Sequence, residues 1–302
     1  MNKILSINFK NFGPFKTEKN IDFDNEKINF YSITGEMSVG KTKIIKLIDL
    51  VQAIIKYDNQ TSINKYLYDD TKPFEFEITA QIDGNIYKYK IKIKDTIVTQ
   101  EQLTSIHNGE IVELFERRKK VLRIHNHSVK FEIGTRELLL NYLKKQKKIF
   151  LDIYNFITEE ILIKYQITEK EILNLYGKEF CLYFNNLTEL LKYINKDTQF
   201  LFLYKHFKNV MLKKEINRLS TEFQFILVIL MIFYAKQKNK ILIIDNFDTF
   251  LNYNCIINLL KFETLQIIFA CNTFEYFYHK NIQTINIISK NGVSSITKKA
   301  PF

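Results

Sequence analysis

The sequence predicts an α/β fold: a parallel sheet flanked by helices, with an anion site at the carboxyl ends of its strands. Three observations predict it. An apolar run, Ile28 to Ile33, leads into Gly35-Glu36-Met37-Ser38-Val39-Gly40-Lys41-Thr42 and then into the helical pattern of Lys43 to Lys56. The apolar run Ile241-Leu242-Ile243-Ile244 ends in Asp245. A third buried-strand pattern, Leu265 to Ala270, ends in Cys271-Asn272.

Each element follows from its local pattern. Ile4 to Phe9 alternates apolar and polar residues, a half-buried strand, and Asn11-Phe12-Gly13-Pro14 is a turn. Ile21 to Phe23 resumes a strand before the run at Ile28. Between Phe74 and Ile97 strand patterns dominate, and Asp83-Gly84-Asn85 between two alternating runs signals a hairpin. Short strands follow at Val112 to Phe115 and Val129 to Ile133. From Glu137 to about Lys214 apolar residues recur at helical spacing with almost no glycine. That stretch reads as a helical insertion or lid, its aromatics in a core and its lysines solvated. Leu219 to Tyr234 is an apolar helix, Lys240 to Asp245 a buried strand and Cys255 to Phe262 a helix. Leu265 to Ala270 and Ile282 to Ser289 are the closing strands. The chain thus divides into residues 1–136 with an antiparallel β subdomain, a helical insertion at 137–214, and a returning α/β part at 215–302.

The glycine run matches G-x-x-x-x-G-K-[ST] at each fixed position. Strand, glycine loop and helix together make a phosphate site. The backbone N–H groups from Gly35 to Lys43 and the helix N-terminus face the anion. Lys41 reaches the outer phosphates, and the Thr42 hydroxyl is a ligand for Mg²⁺. A phosphate site of this kind needs a carboxylate for its metal, and Asp245 at a strand end supplies one, acting through water.

Composition bounds the rest. At 302 residues the chain holds one large domain, or one with a big insertion. No apolar run is long enough to span a bilayer, Phe225 to Ala235 being the longest, and Met1 to Lys10 is a strand pattern, so a cytoplasmic protein without a membrane partner is expected. Cys181, Cys255 and Cys271 are scattered and show neither ligand spacing nor a disulfide framework. His125 and His127 lie at alternate-strand spacing without a third ligand, which favours surface histidines over a metal site. The net charge is +11, carried by lysine; Arg117, Arg118, Arg123, Arg136 and Arg218 are the only arginines. A nucleic-acid surface and compositional drift both account for this, since base reading favours arginine.

The order of these pieces resembles the ABC-type ATPase head: a phosphate loop, a long middle, a Leu219-Ser220 run, the Asp245 strand, then a strand ending in a small polar run. The opening ILSINFKNFGPF is similar to SMC, RecF and OLD heads. The hairpin FEFEITAQIDGNIYKYKIKI with VELFERRKK looks like small OLD-like AAA ATPases of bacterial anti-phage systems. The resemblance implies ATP and Mg²⁺ as cofactors and a head-to-tail homodimer, or higher oligomer, that sandwiches two ATP molecules. Ser220 at a helix N-terminus would then touch the γ-phosphate of the partner's ATP, while the residue chemistry also fits a plain N-cap. Asn11 and Phe12 resemble the turn that lies beside the nucleotide; a strand-end turn with a core Phe is the other reading. Gln146 stands for the metal-touching glutamine of the middle segment, with Gln81 as the runner-up.

Three positions depart from the family. Where a glutamate that polarises water follows the strand-end aspartate, this chain has Asn246, which cannot accept a proton as a carboxylate does. Asp248 is the nearest substitute. The signature glycine is replaced, with Glu222 near its place, and the switch histidine appears as Asn272, which donates a hydrogen bond but is no acid or base. Tight ATP binding with slow hydrolysis is therefore expected. The leading reading is an ATP-dependent switch that controls a separate effector, a nuclease or toxin, in phage defence. A DNA-engaging repair ATPase and a non-hydrolysing scaffold are the alternatives.

Overall fold

Two sheets share one hydrophobic core around the helix that follows the phosphate loop. The structure, a computed structural model, describes residues 2–23, 28–58, 60–107, 109–118, 121–124, 127–129, 134–165, 228, 231–232, 234–247, 265–272 and 282–299.

The first sheet is antiparallel. It contains β1 (Lys3–Lys10), β2 (Lys19–Asp22), β4 (Phe74–Ile82), β5 (Asn85–Lys94), β6 (Ile97–His107), β7 (Glu110–Arg118), β8 (Val121–Ile124) and β9 (His127–Val129), in the order β2-β1-β4-β5-β6-β7-β8-β9. The hairpin expected at Asp83-Gly84 forms, with Ile82 opposite Asn85 and both turn residues at positive φ. One face of this sheet is buried: Ile78, Phe76 and Phe74 of β4, and Tyr89, Ile91 and Ile93 of β5, alternate inward.

The second sheet runs β10-β11-β12-β3-β13-β14, from β10 (Ile161–Lys164) and β11 (Ile241–Ile244) through β12 (Ile267–Ala270) and β3 (Phe30–Gly35) to β13 (Ile282–Lys290) and β14 (Val293–Lys299). Its strands are parallel except β14. β3, β11 and β12 are buried along their whole length, so β11 and β12 are continuous apolar runs and β3 carries only the small hydroxyl residues Ser32 and Thr34 among its apolar ones. Helix α1 (Lys41–Tyr57) buries Ile44, Ile45, Leu47, Ile48, Val51, Ile54 and Ile55 against the shared core. A 3₁₀ turn (Gln60–Tyr66), short helices α2 (Leu139–Leu143) and α3 (Lys148–Asn155), and a π-helical turn (Phe156–Glu160) complete the described elements with the helical residues around Met231.

The fold is the expected α/β sheet with an antiparallel β subdomain. β6, β8 and β14 form where no strand was anticipated. β6 carries Thr99, Gln100, Gln102 and Thr104 among few apolar residues, and its pairing with both β5 and β7 fixes it. β10 lies inside the interval 137–214, whose periodicity is helical; the three apolar residues Ile161 to Ile163 are too few for periodicity to separate strand from helix. The rest of that interval beyond Tyr165, the helix at 255–262, Ser220, Glu222, His125 and Asp248 lie outside the described residues. Among the described residues no helix is long and apolar enough to cross a membrane, and no group of three His, Cys, Asp or Glu could hold a metal.

Candidate phosphate and metal site

Parallel pairing brings the ends of β3, β11 and β12 to one edge of the second sheet. There β3 ends at Gly35 and the chain loops through Glu36, Met37 and Ser38, all exposed, to the buried Val39 and Gly40. Gly40 takes φ +114° at the start of α1. A Cβ there would lie 2.8 Å from Pro14 Cγ and 3.1 Å from the Phe15 ring, so glycine is required by both conformation and space. Ser294 of β14 donates to the Val39 carbonyl at 2.6 Å and holds the loop from the other side.

Lys41 is nearly buried and folds back over the loop. Its Nζ donates to the Gly35 and Glu36 carbonyls, each at 2.7 Å. The ammonium thus sits inside the curve of the loop, where an anion bound by the loop N–H groups would meet it. Thr42, one residue on, donates its hydroxyl to the Asp245 carboxylate. Asp245 stands just beyond β11, 2% exposed, and also accepts its neighbour's Asn246 N–H at 3.0 Å. Burial raises its carboxyl above the usual range; Thr42, the Asn246 N–H, Lys46 and Lys41 act in the opposite sense. A hydroxyl and a carboxylate in contact at a phosphate loop form a hard oxygen pair, which suits Mg²⁺.

The structure brings Gly35 to Lys43 and Asp245 together, and it places Asn272 at the end of β12, beside the loop strand. Lys43 points away from the loop curve, its Nζ 5.1 Å from the Tyr66 ring centre. Asn246 is exposed with φ +50°, a left-handed conformation that asparagine tolerates better than glutamate. Asn11 and Phe12 lie in the turn that borders Gly40, with their side chains engaged in the fold. Asn11 Nδ2 donates to the carbonyls of Asp69 and Lys72 at 2.8 and 2.9 Å, and Phe12 is fully buried against Tyr66 and Phe74. Gln146 stands on an exposed turn between α2 and α3, and Gln81 lies on β4 of the antiparallel sheet. The strand that adjoins Asp245 is β10, and the Asp245 N–H donates to the Lys164 carbonyl at 2.8 Å. Sequence reasoning missed this neighbour, and with it Tyr165; the short run ILIK ahead of it was the available signal. Gln166, next in sequence, lies outside the described residues.

No protein-family model matches the chain, and no curated protein is similar to it in sequence. Solved structures are similar to it in fold. One is an SMC head bound to the C-winged helix domain of ScpA, at 13% identity over 98% of this chain and 97% of that one, with a TM-score of 0.54. Another is the SMC head domain from Thermotoga maritima, at 15% identity over 98% and 99%, with a TM-score of 0.54. The fold is that of these head domains, a two-sheet α/β structure.

Proposed function

We propose that this protein binds ATP with Mg²⁺ at the loop of Gly35 to Thr42, pairs with a second copy when ATP is bound, and hydrolyses it slowly. The observation that carries the reading is the Lys41, Thr42 and Asp245 arrangement: a buried ammonium folded over the loop, and a hydroxyl in contact with the strand-end carboxylate. Thr42 would hold the metal directly and Asp245 through water; the metal would neutralise charge on the phosphates. In this reading Asn246, Asp248 and Asn272 surround the attacking water, Ser220 meets the partner's nucleotide, and no glutamate general base follows Asp245. Gln146 remains the glutamine proposed to touch the metal.

The finer reading is a switch whose ATP-bound pair holds or releases a separate effector, a nuclease or toxin, in phage defence. Its support is the sequence resemblance of the opening and the hairpin, an argument by analogy. A second reading, a DNA-engaging ATPase, is favoured by the +11 charge; the lysine row of β5 adds less, because Lys88 and Lys92 pair with Glu77 and Glu75 of β4. ATP-stimulated DNA binding with a steep salt dependence would select it. The primary test is calorimetric titration of ATP with Mg²⁺. Wild type is expected to bind, and Lys41→Ala to lose at least about tenfold in affinity, since it removes a charge-assisted contact to phosphate. Equal binding by both overturns the assignment.

A further inference from the structure

Helix α1 carries a polar stripe opposite its apolar face. Thr42, Lys46, Asp49, Gln52 and Lys56 recur every three or four residues and so line one side of the helix. The stripe meets the chain around β10 along its whole length. Lys56 pairs with Glu159 at 2.8 Å, and Gln52 Nε2 donates to the carbonyls of Ile157 and Ile161 at 2.7 and 2.8 Å. The Tyr165 hydroxyl donates to Asp49 Oδ2 at 3.0 Å, and Thr42 closes the stripe on Asp245.

These contacts differ in weight. Lys56 and Glu159 are both solvent-exposed, and their attraction is screened. The Gln52 amide holds two carbonyls in part-buried bonds, while the Tyr165 bond is charge-assisted but, like the Lys56 pair, exposed. Among the described residues β10 is the outermost strand of its sheet and pairs with β11 alone. Its carbonyl at Lys164 takes the Asp245 N–H, so any shift of β10 reaches the metal carboxylate directly. The Tyr165 phenol is raised by burial and by its neighbours Asp49 and Asp245.

We propose that Asp49, Gln52 and Tyr165 are positioning residues for the magnesium site: they clamp β10 to α1, and through Lys164 they set Asp245 against Thr42. The inference rests on the reading of Thr42 and Asp245 as the metal pair. It assigns no chemistry to Tyr165 beyond its hydrogen bond, so removing the hydroxyl alone should loosen the metal site and leave the phosphate loop intact.

The test measures ATP affinity of the full chain twice, in EDTA and in MgCl₂, and takes the ratio. Tyr165→Phe and Asp49→Ala are expected to keep the metal-free affinity within about 1.5-fold and the thermal midpoint near wild type, while the magnesium ratio falls by about three- to fivefold, the scale of one exposed charge-assisted hydrogen bond. Asp49→Asn retains an acceptor oxygen and should recover most of the ratio. The double variant should lose no more than either single one, because both break the same bond. A ratio equal to wild type in both single variants overturns the inference, as does a loss of metal-free affinity in step with the ratio. Wild type that binds ATP with no magnesium dependence overturns instead the metal assignment on which the inference stands.

Discussion

At the residue scale the most demanding positions are those where a side chain or its absence has no substitute. Gly40 was legible in the motif, but the reason for it is tertiary: the missing Cβ makes room for Pro14 and Phe15 from the preceding turn. Gly40→Ala is expected to destabilise the fold by about 1–3 kcal/mol and to abolish ATP binding, read by thermal melting and titration. Glu101 was not legible at all. It sits on β6 as one carboxylate in a polar strand, yet it is fully buried and accepts N–H groups from Leu139 and Leu140 at 2.6 and 2.9 Å and the Tyr89 hydroxyl at 2.9 Å. Burial pushes its carboxyl up to about 7, against the pull of those donors and of Arg117. In the unfolded chain it ionises near 4.5, so between these values the folded state holds a proton that the unfolded state has lost. Its contribution is therefore lost as pH rises from about 4.5 to 7, by about 3 kcal/mol in all. Glu101→Gln sets an amide donor against one of the two N–H groups; it should cost about 1–3 kcal/mol at pH 5 and flatten the fall in melting temperature between pH 5 and 7.5.

At the element scale buried side-chain amides tie the two sheets together, Gln266 foremost, with Gln283 of β13 donating to the Asp22 carbonyl of β2 at 3.2 Å. The Gln266 amide, buried ahead of β12, donates to the Ile4 carbonyl and accepts the Ile4 N–H, both at 2.8 Å. A register shift between Ile4 and Ser6 marks the same place in the β1–β4 pairing, so Ile4 turns to Gln266 where the ladder is irregular. Gln266→Ala leaves a buried donor and acceptor unmatched. It is expected to lower stability by about 2–4 kcal/mol in chemical denaturation, and an unchanged midpoint would remove Gln266 from this role. α1, β1, β4 and β5 were readable from their period and β11 from its continuous apolar run ending in Asp245, and each formed where the pattern put it. β10 was not, because three apolar residues and Lys164 carry no period of their own and only the pairing with β11 makes them a strand.

At the scale of the whole molecule the expectation is an ATP-dependent pair that turns over slowly. Light scattering should show a mass near that of two chains with ATP and Mg²⁺ and of one chain without. Wild-type hydrolysis should be slow; Asn246→Glu, which supplies a general base, is expected to raise it by up to about 10²-fold, less if the left-handed backbone at Asn246 resists the substitution. No rise, with binding intact, would place the missing base elsewhere than at Asn246. What the sequence by itself determined is local: the glycine loop is contiguous, its glycines and Lys41-Thr42 are fixed by spacing, and an apolar run that ends in Asp245 declares a buried strand with a carboxylate at its mouth. What only the tertiary structure decided is which distant pieces meet. Tyr165 lies on α1 through Asp49, and Thr42 bonds a carboxylate two hundred residues away along the chain. Asn11 is spent on the backbone of Asp69 and Lys72. The physical reason is that a motif encodes contacts between neighbours in sequence, whereas β-pairing and burial choose partners across the chain by geometry, and a single sequence carries no local trace of that choice.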